Sequence, residues 1–124
     1  MALAVFVAAS VLTQVVAPAS PAEPSAEYVE VGYQELTAGN EEQAIARIRA
    51  NRELESDDPA ALINLGSAHA RLGRMQEARG FYLAAIGSHT RYDLQLADGR
   101  WIDSRRAARM ALDMQAKGAI LALR

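Results

Sequence analysis

The sequence contains no cysteine. Disulfide frameworks, thiolate zinc sites and cysteine nucleophiles are therefore excluded, while the compartment stays open. Aromatic residues are scarce at 6%, so a core must rest on Leu, Ile, Val, Met and Ala. No charge sign dominates. The net charge of −2 gives no global reason to expect nucleic acid or an anionic membrane as partner. The two histidines, His69 and His89, are twenty residues apart, and neither has a second His or a carboxylate at i+3 or i+4 on its helix, so no zinc-binding spacing exists. Ser67 and His69 stand two apart on a helix and point to different faces, which argues against a nucleophile–base pair. Gly87-Ser88-His89 lacks a phosphate-loop fingerprint. The expectation is a chain with no cofactor, no metal and no enzymatic activity.

The first segment is different in kind. Ala2 to Ala17 is uncharged and almost wholly apolar, and Pro18, Pro21 and Pro24 follow in a Ser/Ala/Glu context. Ala17 and Ala19 are small residues at −3 and −1 of a cut before Ser20, which suits a signal peptidase site. No Lys or Arg follows Met1, and the run is marginally long for a bilayer core that needs ~20 residues. Residues 1–19 are therefore expected to be a signal peptide or an N-terminal membrane anchor, with a buried core helix as a third reading. Residues 20–24 are a linker. The first two readings place the remainder in a periplasm or equivalent space, either exported or anchored to the inner membrane.

An internal repeat follows. Gly32 and Gly66 are 34 positions apart, and the same shift carries Gly39 to Gly73, Ala44 to Ala78, Tyr28 to Leu62, Val31 to Leu65 and Ile48 to Tyr82. Gly32 and Gly66 are expected inside a first helix, where glycine is tolerated if another chain segment must come close. Gly39 and Gly73 are expected to end that helix in the left-handed conformation. Asp58-Pro59 reads as an N-cap with Pro at N1. Ser25 is a further cap, and Asn40 with Gln43 approximates a capping box. These signals predict helices over 26–38, 41–54, 59–72 and 75–88, joined by tight turns that force antiparallel neighbours.

The second unit, PAALINLGSAHARLGRMQEARGFYLAAI, resembles a tetratricopeptide repeat through Leu65-Gly66, Ala68, Gly73, Ala78, Tyr82 and Ala85. Leu62 and His69 replace that family's usual Trp and Tyr. The first unit resembles it more loosely, through Gly32, Gly39, Ala44 and Ile48, while Glu35 and Asn51 depart at positions that normally pack. The resemblance covers residues 25–90 as two units, 25–58 and 59–90. It implies an all-α fold, with two antiparallel hairpins stacked as a short right-handed solenoid. It also implies a peptide-binding groove on the first helices, with Val29, Tyr33, Leu36 and Thr37 facing it from one unit and Ile63, Asn64, Ser67, Ala70 and Arg71 from the other.

Residues 91–124 do not continue the repeat. Tyr92, Leu94 and Leu96 alternate with polar residues, Asp98-Gly99 is a turn signal, and Arg100-Trp101-Ile102 reads as a returning strand. Trp101 is expected to anchor this ribbon on the helices. Asp103 or Ser104 then caps a helix over 105–122 that covers the last repeat. Charge is uneven: residues 20–58 carry ten acidic side chains and three Arg, and residues 91–124 carry seven basic and four acidic. Alternating solvated faces explain this, as does an acidic first hairpin that attracts a basic partner or the basic tail of a second copy. The expected function is a protein–protein interaction module in the cell envelope, binding a protein or peptide through the groove. The alternative is a structural protein that self-associates through its C-terminal helix as a homo-oligomer. Nucleic acid is not expected as a partner.

Overall fold

The computed structural model describes residues 32–51 and 54–118. The expectations for the export segment, the linker, Ser25, Val29 and the first part of the first helix lie outside these residues. Five helices and one ribbon follow in order: α1 Tyr33–Thr37, α2 Glu41–Ala50, α3 Pro59–Arg71, α4 Met75–Gly87, β1 Asp93–Gln95, β2 Trp101–Asp103 and α5 Ser104–Ala116. The chain is mostly helical with a two-stranded antiparallel sheet, as expected. No helix among the described residues is long and apolar enough to cross a membrane.

The 34-residue period is written in the backbone hydrogen bonds. Gly39 N donates to Leu36 O, and Gly73 N to Ala70 O. Asn40 N donates to Glu35 O, and Arg74 N to His69 O. Ala38 N donates to Gln34 O, and Leu72 N to Ala68 O. Ala44 N donates to Asn40 O, and Ala78 N to Arg74 O. Each second bond is the first shifted by 34. The bonds at Gly39/Asn40 and Gly73/Arg74 form a Schellman cap, which needs a left-handed residue. Gly39 at φ +76° and Gly73 at φ +78° provide it.

The two remaining repeat glycines part company. Gly66 lies within α3, and a Cβ there would stand 2.5 Å and 2.7 Å from the Tyr82 ring. That is the close approach the sequence predicts. Gly32 is not inside a helix. It takes φ +74° and precedes α1 as its N-cap, though a Cβ there would still meet Ile48 at 3.1 Å.

α3 is the centre of the molecule. Every residue from Pro59 to Ala70 is buried. α2, α4 and α5 all pack against it, α4 most extensively. Asp58 caps it, its carboxylate accepting from Ala61 N at 2.9 Å with Pro59 at the first position, as expected. The capping box at Asn40 does not form: Asn40 makes no side-chain bond to α2, and the chain enters that helix from the Schellman turn instead. α2 ends at Ala50 because Asn51 is extended, and α5 ends at Ala116, short of the expected 122, because Gly118 takes φ +76°.

The ribbon pairs Asp93 with Asp103, Leu94 with Ile102 and Gln95 with Trp101. Gly99 at φ +87° closes its turn. Leu94 and Leu96 are buried, and Ile102 packs on the same core. Trp101 does not anchor the ribbon. It is 65% exposed, because its pairing with Gln95 puts it on the pleat opposite Leu94 and Ile102. Asp103 then caps α5 by accepting from Arg106 N at 3.1 Å. α5 packs against α4 and α3.

Candidate functional site

The residues expected to face a groove are brought together, but mostly in the interior. Leu36 and Ile63 have no accessible surface, and neither do Asn64 and Ser67. Ala70 is 2% exposed. The physical reason is the enclosure of α3, which leaves no open face on that helix. The Ser67 hydroxyl lies 3.2 Å from the Tyr82 hydroxyl, so it is engaged with α4. Tyr33 is half-buried and Thr37 exposed, the Thr37 hydroxyl donating to Tyr33 O and Gln34 O on its own helix. Arg71 reaches the surface, but its guanidinium donates to the Leu36 carbonyl at the end of α1 and lies 3.8 Å from the Glu41 carboxylate. Among the described residues an accessible groove shrinks to Tyr33, Thr37 and the outer part of Arg71.

Arg71 and Arg74 both clamp the second hairpin to the first. Arg74 pairs with Glu42 at 2.7 Å, and within the first hairpin Arg47 pairs with Glu35. The Glu35 carboxylate is only 15% exposed, and one of its oxygens is buried without a hydrogen-bond partner. Glu35, Glu41 and Glu42 of the acidic first hairpin thus face arginines of the same chain.

His69 is buried. Neither ring nitrogen has a hydrogen-bond partner, and the ring stacks on Phe81 with centroids 5.1 Å apart. Burial lowers its pKa, and Arg74 and Arg49 push the same way against weaker opposition from Glu77 and Glu42. A neutral imidazole filling apolar space is what this site favours. Tyr82 is fully buried, and burial raises its phenol pKa against the opposing effects of Ser67 and Arg71.

One polar cluster brings Ser, His and Asp together. Ser88 Oγ donates to the Asp57 carbonyl, His89 N donates to the Asp57 carboxylate at 3.3 Å, and His89 Nδ1 lies 3.8 Å from the same oxygen. The order is wrong for catalysis: a base must stand between nucleophile and carboxylate. Here both residues reach Asp57 separately, and His89 is 99% exposed. Beside it, Tyr92 Oη donates to Asp58 at 2.7 Å, and Arg105 donates to Ser88 O. Burial and Asp58 together push the Tyr92 phenol well above its usual range. The cluster fastens the segment after α4 to the start of α3. Among the described residues no group of His, Cys, Asp and Glu forms a metal site.

Sequence reasoning missed the exposed apolar residues. Met75 and Leu83 on α4 and Trp101 on β2 all lie at the surface. For Leu83 the signal was present: Ala78, Tyr82 and Ala85 form one apolar stripe of α4, and Leu83 lies off it.

No family model, no curated protein and no solved structure matches the chain.

Proposed function

We propose that this chain is a tetratricopeptide-type interaction module, which holds a partner protein or peptide on a short stack of helical hairpins. The observation that supports it is the set of four backbone hydrogen bonds that recur at 34 residues, with the same Schellman turn at Gly39 and Gly73. A unit of that length, two helices with a glycine turn, buries its apolar face only against its neighbours, and such arrays present extended surfaces to partners. The packing of Gly66 against Tyr82 and the cover that α5 gives the last hairpin favour the same reading. With residues 1–19 as an export signal or anchor, the module would act in the cell envelope. The test is photo-crosslinking with a photoreactive residue introduced separately at Tyr33, Gln76 and Leu83 of the full chain in envelope extract. A discrete adduct, competed away by excess unlabelled chain, is expected from at least one position. Absence of a competed adduct at all three would remove the reading.

A further inference from the structure

Two of the four large apolar side chains exposed among the described residues share one stripe of α4. Met75 is 48% exposed and Leu83 46%, and exposed Arg79 stands between them at i+4 spacing. α5 runs antiparallel beside this stripe. Gln115 Nε2 donates to Met75 O at 2.9 Å at one end, and Arg105 donates to Ser88 O at 3.3 Å at the other. A cleft of about 280 Å³ opens between the helices, lined by Met75, Gln76, Arg79, Leu112, Gln115 and Ala116. Arg109 stands one turn before Leu112 on the same stripe of α5. The lining contains no carboxylate, and neither Arg79 nor Arg109 has an ion-pair partner among the described residues.

The charges select the occupant. A second copy docked through the same face would set Arg79 and Arg109 against their own kind, a like-charge contact that disfavours the pairing. In the first hairpin, Glu35, Glu41 and Glu42 face Arg47, Arg71 and Arg74 of their own chain, which makes that face a poor seat for the arginines of a head-to-tail copy. A basic helix is repelled. We infer that the α4/α5 cleft receives an acidic amphipathic helix from another protein. Its apolar stripe covers Met75, Leu83 and Leu112, and its flanking carboxylates meet Arg79 and Arg109. This is helix-in-groove recognition, with apolar anchors at i, i+3/i+4 and i+7 for affinity and paired charges for choice of partner. It deepens the interaction-module reading and rests on it.

The experiment is a selection of displayed 16-residue helices on the full chain, with a Leu stripe held constant and flanking positions free to be Asp, Glu, Lys, Arg, Ser or Gln. Enriched helices are expected to be acidic. Their affinity, measured by fluorescence anisotropy, should fall at least about tenfold on Leu83→Ser. The double variant Arg79→Glu/Arg109→Glu should reverse the preference, binding Lys-substituted versions better than the acidic parents. All three positions are exposed, so thermal melts of the variants should match the parent. Enrichment of basic or neutral helices, or binding indifferent to these substitutions, overturns the inference. Sedimentation that reveals a dimer lost in Leu83→Ser assigns the cleft to a second copy and also overturns it. If crosslinking at Tyr33 still yields a competed adduct, the interaction-module reading survives that failure.

Discussion

At the scale of single residues, space and solvation separate chemically similar positions. Gly66 and Gly80 both sit in helix interiors, where Ala is better than Gly by ~1 kcal/mol on backbone grounds alone. Around Gly80 nothing lies within 4 Å of an added Cβ, whereas at Gly66 that Cβ enters the ring of a fully buried tyrosine. Gly80→Ala is expected to raise stability by ~0.5–1 kcal/mol, and Gly66→Ala to lower it by ~1–3 kcal/mol through overpacking. Urea midpoints of the two variants check both signs. His69 makes a pH prediction. Its pKa in the fold lies below the ordinary 6.5, so the unfolded chain binds the proton more readily. The stabilisation is therefore full above pH ~6.5 and is lost as pH falls from there to the lowered folded value. Arg49 and Arg74 oppose the imidazolium, and Glu42 and Glu77 only partly offset them. Urea midpoints from pH 8 to pH 5 should fall more steeply in the parent than in His69→Phe. Equal slopes would assign the acid sensitivity elsewhere.

At the scale of elements, the contact between the start of α3 and the segment after α4 ties distant parts of the chain. Asp58 has two tasks, capping α3 through Ala61 N and accepting from Tyr92 Oη. Asp58→Ala should cost ~1–2 kcal/mol as a lost cap, and Tyr92→Phe less. A double-mutant cycle should give a coupling of at least ~0.5 kcal/mol. Strict additivity would mean the phenol–carboxylate bond carries nothing. Much of this architecture was legible in the sequence, because local chemistry decides it. Left-handed turns call for Gly39, Gly73 and Gly99, and helix starts call for the carboxylates of Asp58 and Asp103. What each element faces was less legible. Trp101 was expected inward, but strand register decides its side, and a shift of one residue turns a strand over. The groove residues failed for a related reason. No charged side chain stands between Asp58 and Arg71, and a helix apolar all round is enclosed rather than half-open. The family pattern pointed to a face where the composition of α3 pointed to a core. Gly32 shows the limit of the repeat itself: the same position as Gly66 in the period, yet a cap rather than a helix interior.

At the scale of the whole molecule, α3 is the shared core and the other elements depend on it. Elements that all pack on one central helix have no separable parts, so unfolding should be a single transition. Arg71 bridges α1 to α3, and Arg71→Ala should therefore shift the midpoint of that one transition by ~1–2 kcal/mol without splitting it. Coincident curves from circular dichroism and hydrogen exchange would check this, while an early phase confined to α1 and α2 would show that the first hairpin can leave alone. The ribbon also decides which optical probe can follow the transition. Trp101 is the chain's sole tryptophan and already stands in water when the protein is folded. Its emission should begin near the wavelength of free indole and hardly move in denaturant, while helical ellipticity collapses. A fluorescence melt would therefore look flat for a fully cooperative protein. The same indole, silent to unfolding, would shift to the blue only when something dries the outer face of the ribbon.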